Sequence, residues 1–277
     1  MKLAVLADIH ANFAALQTVA AHIEVWRPDA VVVAGDIVNR GPRSRDCLDF
    51  VQTKQQKSGW RVVRGNHEDY VIGLDDPDAP RSGPQFEFYR PVYWAYDQLG
   101  GDVSALKKMP FALSLWTEDA AEARITHASM AGIRDGIYPQ MSDEKLRQKI
   151  LPPSPLLCVG HTHLPLIRRI DNTLVVNVGS VGLPFDGDTR ASYSQLTLQN
   201  GAWQAEIIRL EYNLQQVERD FYETGFIDEG GPLALMILDE LQNARSLMYQ
   251  WALQYKDAVL SSQITMAKSV EQFMRSL

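Results

Sequence analysis

The sequence predicts an α/β fold in which helices cover both faces of the sheets. Short apolar runs such as Ala30–Ala34 (AVVVA) alternate along the chain with helical stretches such as Phe13–Trp26. Continuous apolar strands are typical of sheets that are buried on both faces, and strands that alternate with helices are typical of layered α/β domains. A chain of 277 residues suits one large domain, or one domain with an added helical segment.

Eight segments have the composition of strands. They are Lys2–Ala7, Ala30–Ala34, Trp60–Arg64, Ala123–Thr126, Leu156–Val159, Leu174–Val178, Tyr193–Leu198 and Trp203–Glu211. The helix predicted at Phe13–Trp26 has Asn12 in front of it, a residue type that caps helix N-termini. These elements place a main domain at residues 1–212.

Residues 71–115 interrupt the strand pattern with proline, glycine and many aromatic residues, which predicts a cap-like insertion. Four of its aromatic residues lie at the spacing of one helix face: Phe86, Tyr89, Tyr93 and Tyr96. Packing inside the chain is the favoured interpretation of this face. Stacking on a nucleobase is the alternative that the sequence leaves open.

Residues 213–277 form a helical C-terminal extension in the sequence pattern. An apolar seam with heptad spacing predicts one helix from Pro232 to about Val259. The seam consists of Ile237, Leu241, Ala244, Met248, Trp251, Tyr255 and Ala258. It packs either on the main domain or on a second chain, and its two large aromatic residues modestly favour a homodimer.

Composition excludes several classes of protein. A formal net charge of -7 argues against strong nucleic-acid binding. No apolar run is long enough to span a membrane, and the N-terminus is apolar for too few residues to be a signal peptide. The two cysteines, Cys47 and Cys158, form no CxxC pair, which favours a reducing compartment and a cytoplasmic location.

Metal-binding side chains follow five of the predicted strands. They occur in Asp8-Ile9-His10, Gly35-Asp36, Gly65-Asn66-His67-Glu68, His127 and Gly160-His161-Thr162-His163. Because ligands gather at the carboxyl ends of strands in α/β sheets, we expect these side chains to meet. Residues two apart on an extended chain also point to the same side.

The ligand set mixes oxygen and nitrogen without thiolate, which suits Mn, Fe or Zn ions. Seven ligand side chains exceed the need of one open catalytic ion. They are Asp8, His10, Asp36, Asn66, His127, His161 and His163. We therefore expect two ions, roughly 3.5–4 Å apart, that lower the pKa of a bridging water.

In order and completeness, the pattern DxH, GD, GNHE, H and GHxH resembles the calcineurin-like metallophosphoesterases. The resemblance implies a four-layer αββα sandwich with two mixed sheets. It implies one metal held by Asp8, His10, Asp36 and His163, and a second held by Asp36, Asn66, His127 and His161. It also implies that His67 faces the substrate without binding metal, and that Asp36 bridges the two ions.

The segment from Gly35 to Gly41 is similar to the GDxVDRG segment of phosphoprotein phosphatases and bacterial diadenosine tetraphosphatases. Arg40 would then contact substrate phosphate, where a guanidinium fork fits well. The sequence departs from that pattern at Asn39, where an aspartate would charge-stabilise the catalytic histidine. The paired GHTH is more typical of small phosphodiesterase-like members.

Other polar residues near these segments have ordinary structural interpretations. We expect Asn12 to cap a helix, His22 to be structural, and Arg64 to brace its loop through an ion pair. Glu68 and Asp69 are as well suited to orient ligands or to cap a helix N-terminus as to act in catalysis. Near-even alternatives remain for Ser180, Asp186, Asp188 and Arg190, which either build a polar turn or lie at the site.

The expected chemistry is hydrolysis of a small phosphate ester, phosphodiester or nucleotide anhydride. A metal-bridging hydroxide would attack phosphorus, Arg40 would bind phosphate oxygens, and His67 as an imidazolium would protonate the leaving oxygen. Two alternatives remain, a serine/threonine protein phosphatase and a non-catalytic phosphate-binding protein. The second predicts damage to a ligand or to His67, and the sequence shows none.

Overall fold

The computed structural model describes residues 1–117 and 121–277. Within them, strands form two five-stranded sheets, in the order β10-β9-β1-β2-β3 and β4-β5-β6-β8-β7. The strands are β1 Lys2–Leu6, β2 Ala30–Val33, β3 Arg61–Val62, β4 Ala112–Trp116, β5 Glu122–Thr126, β6 Leu156–Val159, β7 Leu166–Ile170, β8 Thr173–Asn177, β9 Ala191–Gln199 and β10 Ala202–Leu210.

Helices follow or separate most of these strands. They are α1 Phe13–Trp26, α2 Ser44–Ser58, α3 Asn66–Ile72, α4 Gly83–Gln98, α5 Ser104–Lys107, α6 Asp143–Lys149, α7 Leu214–Glu223, α8 Phe226–Glu229, α9 Pro232–Asn243, α10 Met248–Leu260 and α11 Met266–Arg275. A 3₁₀ turn, Gly73–Asp75, follows α3. None of the helices in the described ranges is long and apolar enough to cross a membrane. The cytoplasmic location stays a prediction.

Both sheets are mixed, and their parallel strands fix where the site lies. In the first sheet β1, β2 and β3 are parallel neighbours, and in the second β5, β6 and β8 are. The remaining pairs are antiparallel. The loops that follow β1, β2, β3, β5 and β6 therefore leave the two sheets at carboxyl ends, where the predicted ligands are.

The side chains of β1 alternate between two buried layers, as the pleat of a strand requires. Leu3 and Val5 face the second sheet, where they pack with Ile125 and Cys158. Leu6 faces the opposite way and packs in the same cluster as Leu16 of α1. On the outer face of the second sheet, residues of β6 and β8 pack against α6. The predicted four-layer αββα architecture is confirmed.

All eight predicted strands are present, with boundaries that shift by at most two residues. Two strands were not predicted, and both lie at edges of the second sheet. The charges of Arg168 and Arg169 hide the apolar pattern of β7, and β4 follows a proline within the segment assigned to the insertion. Edge strands commonly carry charged residues, as β7 does, whereas β4 is apolar but lies mostly within residues 71–115.

The C-terminal extension packs on the rest of the same chain. Phe88 of α4 stacks against Trp251 of α10 with ring centroids 6.0 Å apart. Ile237 and Leu241 of α9 are buried in a cluster that includes Leu183. The helices of residues 71–115 and of residues 213–277 thus share apolar contacts beside the sandwich.

The prediction of one helix from Pro232 to about Val259 is wrong. The chain leaves α9 at Ala244, which adopts a left-handed conformation with φ 47°, and α10 begins at Met248. Glu240 accepts the backbone N–H groups of Leu247 and Met248, and so caps the new helix. A continuous heptad seam therefore does not exist. The homodimer stays a prediction, and it would need a different surface.

Candidate metal centre and active site

The structure brings all seven predicted metal ligands together at the carboxyl ends of the five strands. Asp8, His10, Asp36, His161 and His163 all adopt positive φ values, between 47° and 69°. Such backbone is costly for residues with a Cβ and clusters at functional sites. Hydrogen bonds between the loops hold it in place, among them His10 N–H to Asp36 O at 3.0 Å and His161 N–H to Asp8 Oδ2 at 2.8 Å.

Two glycines allow the loops to approach this closely. A Cβ at Gly65 would lie 2.1 Å from Asp36 Oδ1, and a Cβ at Gly160 would lie 2.4 Å from Asp8 Oδ2. Both distances are far below van der Waals contact. Any side chain at either position would therefore displace a ligand carboxylate.

The first ligand group consists of Asp8, His10, Asp36 and His163, all buried, with ligand atoms that lie within 4.8 Å of one another. His163 Nε2 lies 3.1 Å from His10 Nε2 and 3.3 Å from Asp8 Oδ1. His163 Nδ1 donates a hydrogen bond to Leu183 O, so Nε2 presents a lone pair to the group. Phe185 stacks on the His163 ring at 4.3 Å and fixes its plane.

The second group consists of Asp36, Asn66, His127 and His161. Asn66 Oδ1 lies 2.9 Å from His127 Nε2 and 2.7 Å from His161 Nδ1. His127 Nδ1 donates to Ala34 O at 2.8 Å, which leaves the Nε2 lone pair facing the group.

Asp36 belongs to both groups through one oxygen atom. Asp36 Oδ2 lies 3.7 Å from His10 Nε2 and 3.3 Å from His127 Nε2. Its other oxygen, Oδ1, accepts the backbone N–H of His67 at 2.8 Å. That bond orients the carboxylate so that Oδ2 points between the two groups.

The atoms in these groups fit a cation. Lone pairs of His127 Nε2, Asn66 Oδ1 and Asp36 Oδ2 converge, and such acceptors repel one another unless a positive charge lies among them. Asp8 Oδ1 is buried, and no hydrogen-bond partner for it lies in residues 1–117 or 121–277. A buried carboxylate oxygen without a donor is costly, and a metal ion would satisfy it.

The pKa values of the buried side chains also indicate that positive charge is favoured beside Asp36. Burial opposes ionisation of Asp36, yet His127 and His67 hold the pKa of that carboxyl well below its usual value. Burial opposes charge on His127 too, but the Asp36 carboxylate prevails and raises the pKa of His127 to about 10. By contrast, burial lowers the pKa of His161 to about 4, with His127 adding to the effect. A bound cation would take the place of the proton on His127.

Glu68 does not face the ligand groups and acts instead as a brace between two loops. Its Oε2 accepts the backbone N–H of Asp36 and of Gly65, both at 2.8 Å, and its Oε1 accepts that of Ile37 at 2.7 Å. Its side chain is fully buried. The structural alternative for Glu68 is therefore correct, because its oxygens are occupied by backbone donors.

Asn39 fixes the tautomer of His67. Asn39 Oδ1 accepts the backbone N–H of Arg40 at 2.7 Å, and its Nδ2 lies 2.8 Å from His67 Nδ1. Asn39 therefore donates to Nδ1, and His67 carries its proton on Nε2. The His67 ring lies edge-on to His10 at 4.8 Å, so it borders the first ligand group.

The protein groups around His67 disfavour its charged form. Burial, opposed by Asp36 and helped by Arg40, lowers the pKa of His67 to about 3. The protein groups alone therefore do not favour an imidazolium at neutral pH, and the acid role of His67 stays a prediction. A neutral His67 still presents an Nε2–H donor to a ligand.

Three other expectations for polar residues are confirmed. Arg64 forms an ion pair with Asp69 at 2.9 Å. Asn12 caps α1 by accepting the N–H of Ala15 at 3.0 Å. His22 bonds the Tyr193 hydroxyl at 2.8 Å, away from the metal ligands.

The four polar residues between positions 180 and 190 were expected either to build a polar turn or to lie at the site, and the structure shows both cases. Ser180 lies at the site, because its hydroxyl donates to the backbone carbonyl of Asp8 at 2.7 Å. Asp188 instead pairs with Arg190 at 2.7 Å, and Asp186 pairs with Arg209, so these charged residues build a polar turn.

A cavity of about 530 Å³ lies beyond His67. Its wall includes Tyr70, whose ring lies 5.2 Å from the His67 ring, and Arg134, whose guanidinium lies 4.7 Å from the Tyr70 centroid. Tyr89 and Tyr93 also line this cavity, and all four aromatic residues of the α4 face belong to the first core cluster or pack against it. Packing thus accounts for most of the aromatic face of α4.

The model of the calcineurin-like phosphoesterase superfamily domain matches residues 1–201. The chain belongs to this superfamily. The match covers every strand-end ligand, and it ends before the C-terminal helices.

Similar proteins support the fold. An uncharacterized protein of Methanocaldococcus jannaschii, MJ0912, is 25% identical over 236 residues, which are 77% of this chain and 89% of that protein. The crystal structure of a metallophosphoesterase from Sphaerobacter thermophilus is 25% identical with a TM-score of 0.70, covering 88% of this chain and 99% of its own. The hypothetical protein PH1004 of Pyrococcus horikoshii reaches a TM-score of 0.74 at 19% identity, covering 89% and 99%. The fold likeness to the last two extends beyond residues 1–212.

Two residues that shape the site are not among those predicted from the sequence. Phe185 follows no strand and lies in a glycine-rich turn, so only its stacking on His163 reveals it. Glu240 lies within an apolar helix about 200 positions after Arg40, yet its carboxylate is 3.7 Å from the Arg40 guanidinium. Contacts of this kind depend on tertiary packing, and local sequence carries no signal for them.

Proposed function

We propose that this protein is a dinuclear metallohydrolase that cleaves a small phosphate ester, phosphodiester or nucleotide anhydride. The observation that carries the proposal is the position of Asp36 Oδ2, between His10 Nε2 at 3.7 Å and His127 Nε2 at 3.3 Å. Two ligand groups that share one carboxylate oxygen suit a pair of ions roughly 3.5–4 Å apart. The mixed nitrogen and oxygen donors suit Mn, Fe or Zn.

When bound, the ions would supply an activated water and positive charge beside the phosphoryl group. The residues of the chain would bind and orient the phosphoryl group. Arg40 carries the guanidinium that would bind phosphate oxygens, and His67 offers Nε2–H as a donor on the same side. Asn39 keeps that donor in place through the 2.8 Å contact with Nδ1.

Burial of the ligands favours a small substrate over a folded protein surface. Asp8 and His127 have no exposed surface, and His10 and Asp36 are 1% exposed. The organic part of a small phosphate ester would occupy the cavity beside Tyr70, where aromatic rings and Arg134 form the wall. A protein phosphatase needs an open groove, so we place it second. A non-catalytic phosphate-binding protein could lose a predicted ligand or His67, and all of these residues are present in this chain.

The experiment is a metal and substrate panel on purified protein. Chelator-treated protein is reloaded with Mn²⁺, Fe²⁺ or Zn²⁺ and assayed on 4-nitrophenyl phosphate, bis(4-nitrophenyl) phosphate, a dinucleoside polyphosphate and a phosphopeptide. We expect activity that disappears in chelator, returns with metal, and is highest on a substrate other than the phosphopeptide.

Matched histidine variants show whether the activity belongs to this site. His127→Ala should abolish it, whereas His22→Ala should not, because His22 bonds Tyr193 outside the ligand groups. Undiminished activity in chelator, or in His127→Ala, would refute the proposal. A strict preference for the phosphopeptide would favour the protein phosphatase.

A further inference from the structure

The guanidinium of Arg40 lies between the metal ligands and the C-terminal extension. Its side chain is 19% exposed. Its two neighbours in the chain lie against both histidines: Asn39 Nδ2 is 2.8 Å from His67 Nδ1, and a Cβ at Gly41 would lie 2.2 Å from the backbone oxygen of His10. Among the described residues, the guanidinium donates no hydrogen bond, so its donors are open to a ligand.

Glu240 of α9 reaches Arg40 from the other side. Its side chain is fully buried, and its Oε1 accepts the backbone N–H groups of Leu247 at 2.7 Å and Met248 at 2.8 Å. Its Oε2 has no hydrogen-bond partner within the described parts of the chain and lies 3.7 Å from Arg40 Nη1. The two backbone bonds fix the carboxylate, so it cannot turn away from Arg40.

A buried carboxylate is costly unless a cation lies near it. For Glu240 that cation is Arg40. The contact is long and involves one nitrogen, so it attracts the guanidinium without occupying the fork. The first backbone N–H groups of α10 thus fix the Glu240 carboxylate in a position where it attracts Arg40, which lies beside the predicted metal ligands.

We propose that Glu240 is a positioning residue: it holds the Arg40 guanidinium toward the metal centre, so that the C-terminal extension helps the active site to bind phosphate. This inference rests on the proposed function for the role of Arg40. It gives residues 213–277 a function that the sandwich alone does not require. It also agrees with the fold likeness that extends past residues 1–212.

A second contact between the same loop and the extension provides a control. Arg43 Nη2 donates to Asp220 Oδ1 at 2.7 Å, and Asp220 of α7 is 4% exposed. This pair fastens the loop to the extension in the same way, but within the described residues the Arg43 guanidinium bonds only Asp46 and Asp220 and does not line the cavity. Asp220→Asn therefore removes one loop anchor without changing the charge beside Arg40.

The test compares Glu240→Gln with Asp220→Asn in the metal-loaded full-length chain. Calorimetry gives the Kd for inorganic phosphate, and kinetics give KM and kcat for 4-nitrophenyl phosphate. Glu240→Gln should raise the phosphate Kd and the KM about tenfold, with a smaller change in kcat, because one charged contact is worth about that factor. Its melting temperature should change little, since the amide oxygen can still cap α10.

Asp220→Asn should lower the melting temperature and leave the phosphate Kd close to that of the wild type. Arg40→Ala and the double variant Glu240→Gln/Arg40→Ala should share one Kd, because Glu240 has nothing to position once Arg40 is absent. If Glu240→Gln does not fold, Glu240→Asp, which keeps the charge but moves it one methylene away, should raise the Kd by a smaller factor.

Three results would overturn the inference: an unchanged Kd in both Glu240 variants, tighter phosphate binding in Glu240→Gln, or a Glu240→Gln effect that persists without Arg40. Tighter binding would mean that Glu240 competes with phosphate for the guanidinium. Because phosphate binding is measured directly, the comparison decides the role of Glu240 even if the wild type hydrolyses nothing in the panel. A wild type that hydrolyses nothing in the panel would refute the proposed function and leave the role of Glu240 to the phosphate-binding result.

Discussion

Asn39→Asp changes the group that sets the protonation of His67. In the wild type, Asn39 Nδ2 lies 2.8 Å from His67 Nδ1, and Asn39 Oδ1 is fixed by the Arg40 backbone N–H at 2.7 Å. An aspartate of the same shape would keep the bond to Arg40 and place a carboxylate oxygen against Nδ1. His67 would then carry a proton on Nδ1, and it would carry a second on Nε2 only when charged.

The size of the effect follows from the distance. Two unit charges about 4 Å apart interact by about 4 kcal/mol at an effective dielectric constant of about 20. That energy corresponds to about three pKa units. The pKa of His67, which burial lowers to about 3, would therefore rise to about 6 in the variant. The charged form would exist below that pH and disappear above it.

The assay is the pH dependence of kcat/KM together with histidine NMR on Zn²⁺-loaded protein. The wild type should show no limb from His67 above about pH 5, because the neutral Nε2–H form persists throughout. Asn39→Asp should lose activity as pH rises through about 6, since the neutral ring then turns a lone pair toward the substrate. In the NMR spectra, His67 should change tautomer and His22 should not. Identical pH profiles and tautomers in the two proteins would refute this account of Asn39.

Three further outcomes are expected. Asp36→Asn should weaken binding of both ions, because an amide would put N–H groups where Oδ2 faces the His10 and His127 nitrogens. The metal content is measured by elemental analysis, and full retention of one ion would contradict a shared ligand. His67→Ala should keep the metals and lose on the order of 10²–10³ in kcat, the range for a donor to developing charge. The loss should be similar for nitrophenyl and alkyl esters, and a far larger loss on alkyl esters would restore the acid role. Glu68→Gln should melt at a lower temperature than the wild type in thermal denaturation, since an amide N–H would oppose backbone donors that are now bonded to the carboxylate. An unchanged melting temperature would argue against the role of Glu68 as a brace between the two loops.

The meeting of the predicted ligand side chains could be inferred from sequence because it depends on local features. A strand is recognised by a short apolar run, and in parallel strands the next residues must lie at one edge of the sheet. Asp8 and His127 therefore could be placed without knowing the remaining fold. The loops that join these strands also carry glycines such as Gly65, whose position reflects close backbone approach.

Other features depend on packing that no local pattern encodes. In the sequence, the heptad spacing continues through Ala244, a strong helix former, and only the tertiary structure shows that the helix ends there. The charge on His67 depends on burial and on the orientation of the Asn39 amide. Glu240 is one of several acidic residues in the extension, and only its burial beside Arg40 distinguishes it.

The most direct test of the central claim is an anomalous-scattering map from crystals of the metal-loaded protein. The account predicts two peaks roughly 3.5–4 Å apart. Both should lie about 2.0–2.2 Å from Asp36 Oδ2, one beside His10 and His163 and the other beside His127 and His161. A single peak at full metal loading, or two peaks that do not share Asp36, would contradict it.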